Sequence, residues 1–495
     1  MPGVVVTTAV RRGARNTVNN ATSSLFIVGD AERGAVNTVR AITSLEQFES
    51  LFGGYVAHAY TWQSLQAFFE EGGSTAYVVR VAPANAVVSY VSLYDDEVTP
   101  NAVIKISAIG AGAWANSNLT VTSTTTTGTA VNVKLLLDGV SVAETGSVAT
   151  ALAAVTAINA STAFGAYVTA ELLGTAGEYD ASILAETATA QAFTTGSNGT
   201  GAPTSSQITS ALALFIDTLG GGAVAAPGYA SLAVHQALIA HANAFSRFAI
   251  MSAGDEETDA NAALAFVTAL DTAVTGDMEH GAMFYPWITV PYGNGTLTVP
   301  PEGYVAGIRA RVHTSAGQWQ PYAGAVSNGT FVTGVANSLG RSQNNTLDAG
   351  RVNAIRIING SVRIYGARSL SADSDNFKYV SIQETTNRIV IEAQNALEEL
   401  VFSPIDGRRS IYGRIQSALM GIMEPLRAAG ALFPGTDASG LPTDSGYIIV
   451  VDDSINPLTQ LATGVIKARI AFRMAGVTDT IQLEIVKSNL TTPIS

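Results

Sequence analysis

Residues 86–206 contain no arginine and only two lysines, Lys105 and Lys134, against nine acids, a net charge of −7. The stretch is rich in Thr, Ala, Val and Ser. Its runs Val103 to Ile109, Leu119 to Ser123 and Val131 to Leu137 have the length and composition of strands. On either side the sequence is of another kind: strand-like and helix-like runs alternate before it and resume after it. A chain built this way is expected to form a discontinuous α/β body that carries an inserted, mostly β domain.

The flanking elements follow from period and punctuation. Leu25-Phe26-Ile27-Val28 reads as a strand ended by Gly29-Asp30. A helix is expected at 44–52, where Ser44 and Gln47 have capping-box spacing. A second is expected at 60–71, with Trp62, Leu65 and Phe69 inward, then a strand from Ala76 to Val81. Beyond the insertion, helices at 207–219, 229–245 and 259–274 alternate with strands at 248–251 and 282–290. Residues 351–475 read as a third, α+β unit. It has strands at 352–358 and 361–366 joined by the hairpin signal Asn359-Gly360, helices at 386–401 and 408–429, and strands at 446–452 and 465–473.

The two ends differ from this body. Residues 1–24 hold Arg11, Arg12 and Arg15 and no acid, and Val4, Val5 and Val6 open a strand-like run. Near the other end Ile481, Leu483 and Ile485 alternate with polar residues. The expected organisation is an arm at 1–24, a body of 25–85 and 207–350, and an outer β-rich insertion at 86–206. A core α+β domain at 351–475 and an arm strand at 476–495 complete it. The fold class is multidomain, α+β with α/β.

Of the 495 residues, 47% are apolar and 13% charged, enough for buried cores and too apolar for a disordered chain. No cysteine occurs, which excludes a disulfide framework and thiolate metal sites. The N-terminus has no signal-peptide pattern, and no uncharged apolar run is long enough to span a bilayer, so cytosolic synthesis without membrane insertion is expected. The net charge is −13, and no basic stripe interleaved with aromatics suggests nucleic-acid binding.

A search for chemistry finds little. The five histidines, His58, His235, His241, His280 and His313, sit in no metal-ligand spacing. There is no G-x-S-x-G elbow and no Walker lysine. Gly110-Ala-Gly112-Ala-Trp114-Ala loosely matches a phosphate loop, but it leads into strand sequence rather than a helix. The acidic groups Asp95-Asp96-Glu97, Asp255-Glu256-Glu257 and Asp452-Asp453 read as solvated loops. Asp373-Ser374-Asp375-Asn376 starts like a calcium loop but lacks its glycine and closing glutamate. No catalytic residue, cofactor or metal is expected. Arg408, Arg409, Arg414 and Arg427, on or beside the 408–429 helix, form a candidate binding surface for an acidic partner.

The most informative motifs are not catalytic. Tyr285-Pro286-Trp287 is followed by Val299-Pro300-Pro301-Glu302-Gly303-Tyr304-Val305-Ala306-Gly307, then Arg309-Ala310-Arg311, then Gly317-Gln318-Trp319-Gln320-Pro321. This order resembles the central block of bacteriophage tail sheath proteins, in which a "PW" strand precedes "PPSG-x-V-A-G", an "AR" and "G-x-W-x-x-P". Pro286, Trp287, Pro300, Pro301, Gly303 and Gly307 carry the resemblance, and Glu302 replaces the usual serine. Ala113 to Val121 is similar to the family's "G-x-W-G-N-x-L-x-V". Asn353-Ala354-Ile355-Arg356 and Tyr365-Gly366-Ala367-Arg368-Ser369-Leu370 are similar to "IN-x-I-R" and "WGARTL". The opening Pro2-Gly3-Val4, the Gly464-Val465-Ile466 strand and the final strand also fit. Where many sheaths carry an arginine pair after the segment equivalent to Phe377 to Val380, this chain has Ser381-Ile382-Gln383-Glu384.

The resemblance implies a mechanical role. Subunits would stack in rings around a tail tube, exchange terminal strands with neighbours, and contract when the baseplate triggers them. Partners would be other copies, the tube, the baseplate and the tail terminator, in a virion tail assembled in host cytoplasm. The four arginines would then face the tube. The readings open beside it are a sheath of a related injection system or bacteriocin particle, a β-rich surface adhesin, and an α/β enzyme.

Overall fold

The computed structural model describes residues 23–57, 59–254, 260–274 and 276–479, the side chain of Ser117 excepted. Val4, Val5, Val6, Ile481, Leu483, Ile485, His58 and the Asp255-Glu256-Glu257 group lie outside the described residues. The described chain divides into two compact units. One runs to Gln318 and from Tyr322 to Ile391; the other comprises Trp319–Pro321 and the chain from Glu392.

The first unit is organised by an eight-stranded sheet. Its order is Ser361–Ile364, Val352–Ile358, Gly281–Tyr285, Phe248–Ser252, Ala223–Ala225, Leu25–Gly29, Ala76–Arg80, Val39–Ile42. The six inner strands are parallel and the two outermost are antiparallel to their neighbours. The strand Leu25–Gly29 is buried along its whole length because both faces are covered. Leu25 and Ile27 face a core built with helices Leu45–Phe52, Thr61–Glu70 and Glu302–Ser315. Phe26 and Val28 face another, built with helices Ser205–Leu212, Leu232–Ala244 and Ala260–Ala273. Ser44 caps the first helix as its spacing predicts, its side chain accepting from the Gln47 amide.

Between the strands at 76–80 and 223–225 the chain forms a separate apolar core. A three-stranded sheet (Tyr90–Tyr94, Ala102–Ala108, Val168–Leu172) and a four-stranded sheet (Gln191–Ala192, Leu119–Thr127, Ala130–Leu137, Val140–Val148) enclose it with the helix Ala151–Ala160. Arg80, buried in the body, joins the two parts. It donates to the carbonyls of Ala31 and Gly34 on one side and of Ala111 on the other.

Four expectations are corrected. The run 282–290 is two strands, Gly281–Tyr285 and Ile288–Tyr292, in different sheets with the cis Tyr285–Pro286 peptide between them. The helix expected at 207–219 ends at Leu212. Arg247 takes the carbonyls of Phe215, Ile216 and Gly220 at 2.6, 2.7 and 3.0 Å, which holds them out of helical register. Strands 352–358 and 361–364, read as opening a third unit, complete the body sheet instead; their Asn359-Gly360 turn has both residues at positive φ, as its type requires. The strand expected over 465–473 is confined to Arg469–Phe472. There the Asn456 side chain occupies both backbone groups of Lys467.

The second unit holds the end of the helix Val380–Glu398, the helix Ser410–Ala428, and the antiparallel ribbon Tyr447–Val450 with Arg469–Phe472.

Candidate functional site

The described histidines do no visible chemistry. Burial pushes His235 down to about 4 and, with the neighbouring Arg247 guanidinium, His241 to about 3. Burial also lowers His280 and His313. All four are neutral core side chains at physiological pH. Among the described residues no group of three or more His, Asp or Glu could hold a metal ion, and no helix is long and apolar enough to cross a membrane. The Gly110–Gly112 turn leads to a helix of only four residues, Ala115–Asn118. Asp373 caps its own turn, accepting from the amides of Asp375 and Asn376.

The diagnostic motifs meet at one packing junction. Trp287 donates its indole N–H to the Ala253 carbonyl at 2.8 Å and stands edge-on to Tyr60. Pro301 is the N-cap of helix Glu302–Ser315, which is buried over most of its length. Its glycines set how closely it approaches helix Thr61–Glu70. A Cβ at Gly303 would stand 2.0 Å from the Ser64 carbonyl oxygen, and one at Gly307 would stand 2.7 Å from that of Phe68. The two helices therefore touch backbone to backbone, and neither position has room for a side chain.

Two buried carboxyl groups lock this junction. Glu384 receives a two-pronged bond from Arg309, at 2.5 Å from Nε and 2.6 Å from Nη2, and both side chains are 1% exposed. The second, Glu302, has one oxygen 2.6 Å from the Ser252 hydroxyl, and the other has no partner. Burial pushes Glu302 up to about 7. A folded value above the unfolded one means that its contribution to stability is complete below about 4.5 and is lost as pH rises through about 7. The ionised form costs roughly 3 kcal/mol at alkaline pH. Glu302→Gln is therefore expected to raise the unfolding temperature at pH 8.5 and leave it nearly unchanged at pH 5. Thermal unfolding of both proteins at both pH values checks this, and an equal shift at the two pH values contradicts it.

The described sheet edges differ between the units. In the first unit four of them are blunted in ways that discourage pairing with another chain. The Asn159 side chain occupies both backbone groups of Ala170 on the strand Val168–Leu172. The strand Val140–Val148 is broken by two register shifts. Gly329 and Ser327 cover Val362 and Ile364. Val39–Ile42 is short and exposes Arg40. Just beyond the second unit's ribbon, Asn456 takes both backbone groups of Lys467 and Leu432 bridges Met474, but the paired residues themselves have no such cover. Tyr447 pairs with Phe472, Ile448 with Ala471, Ile449 with Ile470 and Val450 with Arg469, and no third strand joins either side among the described residues. One face is partly buried and is tied to helix Ser410–Ala428 by the Tyr447 hydroxyl, 2.5 Å from Glu424. The other exposes Ile448 at 59%. A lone two-stranded ribbon is marginal in water.

The predicted arginines all lie around helix Ser410–Ala428, but they are not equally available. Arg409 pairs with Asp453 at 2.8 Å and Arg427 with Glu424 at 2.8 Å. Arg414 reaches only the Ser403 hydroxyl, and Arg408 is exposed. Sequence reasoning overlooked Glu302, Arg309 and Glu384 as a set. One signal was present: an arginine inside the uninterrupted small and apolar run from Gly303 to Ala310 must be buried, and a buried arginine needs an acid.

No family model matches the chain, and no curated protein matches it. Solved structures do. The chain is similar to the helical sheath of the anti-feeding prophage in its contracted state, with TM-score 0.56 and 15% identity over 98% of this chain and 99% of that one. It is similar to the contracted sheath of an extracellular contractile injection system, PVC, with TM-score 0.55 and 15% identity over 99% and 98%. It is also similar to a sheath tail protein of Listeria innocua, with TM-score 0.59 and 14% identity over 87% and 89%. The chain has, over nearly its whole length, the fold of contractile sheath proteins.

Proposed function

We propose that this protein is the structural subunit of a contractile tail sheath, polymerising around a tail tube and contracting to drive it through a cell envelope. The observation that carries the reading is the ribbon Tyr447–Val450 with Arg469–Phe472, which no third strand joins among the described residues, in a chain whose fold is that of sheath proteins. The terminal segments containing Val4, Val5 and Val6 and Ile481, Leu483 and Ile485 supply the missing strands, each to a neighbouring copy. The insertion decorates the exterior, and baseplate and terminator proteins bound the polymer. Sedimentation of the purified chain tests this: concentration-dependent growth to very large particles supports it, and a monomer at every concentration opposes it.

The phage tail is the reading favoured by the sequence motifs. Similarity to the anti-feeding prophage and PVC sheaths supports the second reading, a sheath of an extracellular injection device. In either machine the tube contact falls on the arginine surface of the second unit. Because Arg409 and Arg427 already have acidic partners, Arg408 and Arg414 carry it. Charge reversal at both is expected to weaken co-sedimentation with tube at low salt and to matter less at high salt. Equal co-sedimentation of parent and variant at low salt removes that contact.

A further inference from the structure

Three aromatic rings from three separate segments meet on the α/β body. Tyr55 lies in the loop after helix Leu45–Phe52, Trp62 opens helix Thr61–Glu70, and Tyr292 ends the strand Ile288–Tyr292 at a hairpin tip. Tyr55 and Tyr292 are 4.6 Å apart between centroids, and Trp62 stands nearly perpendicular to both, at 6.1 and 6.4 Å. Tyr292 is 40% exposed, although a ring at a hairpin tip could turn to solvent or be replaced by a polar residue without loss to the core. A carboxylate adjoins the rings. Trp62 donates its indole N–H to Glu49 Oε1 at 2.8 Å, and Glu46, one turn earlier on the same helix, is exposed. Arg33 donates to the Glu49 carbonyl, while its guanidinium lies over Trp114 and Tyr167. Neither carboxylate forms an ion pair among the described residues.

Ring faces beside a carboxylate that forms no ion pair suit a guanidinium, and tryptophan, tyrosine and arginine dominate binding energy at protein interfaces. We propose that this corner receives the arginine-bearing segment 11–15 of a neighbouring copy, an interface that rests on the polymer reading above. Charge complementarity selects that segment. Arg11, Arg12 and Arg15 give residues 1–24 a charge of +3 with no acid. The segment lies between Val4–Val6 and the first described residue, so an N-terminal arm that adds a strand to a neighbour would also carry a cationic anchor. Attraction of the anchor to the acidic, aromatic corner fixes where the arm crosses the neighbour's surface.

A double-mutant cycle on the full chain tests the inference, read as the critical concentration for polymerisation in a pelleting assay. Tyr292→Ser and the triple change Arg11→Ala, Arg12→Ala, Arg15→Ala are each expected to raise it about tenfold. Combined, they should raise it no further than either alone, and the effect should shrink at high salt. Tyr292→Phe, which keeps the ring face, should polymerise as the parent does, which separates ring loss from a folding defect. Additive effects, or arginine-free arms that polymerise normally, overturn the proposal. A parent chain that never polymerises removes the sheath reading together with this one, whereas a parent that polymerises while the cycle is additive removes this one alone.

Discussion

Arg309→Met is expected to destabilise the first unit by about 3–5 kcal/mol, because it leaves the Glu384 carboxylate buried without its partner. The pair is held by two short hydrogen bonds between side chains that are 1% exposed. Water cannot replace the guanidinium there without opening the helix Glu302–Ser315, and Gly303 and Gly307 press that helix against its neighbour. Replacing both partners should behave differently. Arg309→Met with Glu384→Leu removes both charges and is expected to recover most of the loss, since burying an ion pair gains little over well-packed apolar groups. Denaturant unfolding of the parent, of Arg309→Met and Glu384→Leu alone, and of the double variant checks this. A single variant that costs under about 1 kcal/mol would show that the pair is not isolated from solvent.

Removing residues 479–495 is expected to leave a folded, soluble subunit that forms no polymer. The ribbon it would complete offers about four backbone positions on each open side. Four to six inter-strand hydrogen bonds at roughly 1 kcal/mol net each give a few kcal/mol per arm. Burying Ile481, Leu483 and Ile485 in a neighbour adds about 1.5–3 kcal/mol for each fully buried side chain. Ordering the arm offsets part of this. The surplus recurs at every subunit, so its loss is felt by the polymer far more than by the fold. The same logic applies to deletion of residues 1–20. Circular dichroism and sedimentation of each truncation check both halves of the expectation. Polymerisation equal to that of the parent would count against strand exchange by that arm.

Much of the body was legible in the sequence because its strands and helices obey simple periods. The capping pair Ser44 and Gln47, the Asn359-Gly360 turn and the all-apolar strand Leu25 to Val28 each carry a local signal that packing did not override. The composition break near residue 86 marked a segment with its own core. Helix Glu302–Ser315 was harder to see. It is buried nearly all round, so it has no polar face from which a helical period could be read. Helix Val380–Glu398 was placed six residues late for a related reason. Its first turns bury Ser381 together with Gln383, Glu384 and Asn387, of which the last three bond His280, Arg309 and the Arg247 carbonyl respectively, so the polar face that reads as solvent-facing is an interior one. The helix expected over 207–219 stops at Leu212, where the amides of Leu214 and Phe215 turn to the carbonyls three residues back, and Arg247, distant in sequence, then takes the carbonyls of Phe215 and Ile216.

The candidate surface was only partly legible. Sequence placed four arginines near one helix, and the i, i+3 spacing of Glu424 and Arg427 already offered one pair, whereas the pairing of Arg409 with Asp453 depends on the fold. The ribbon's strands were found from alternation. That no described strand covers them is a property of the whole topology and leaves no local trace in the sequence.

Electron microscopy of the purified full-length chain tests the central claim most directly. The account predicts hollow, transversely striated cylinders of uniform diameter. Discrete globular particles in every condition of salt and concentration would contradict it.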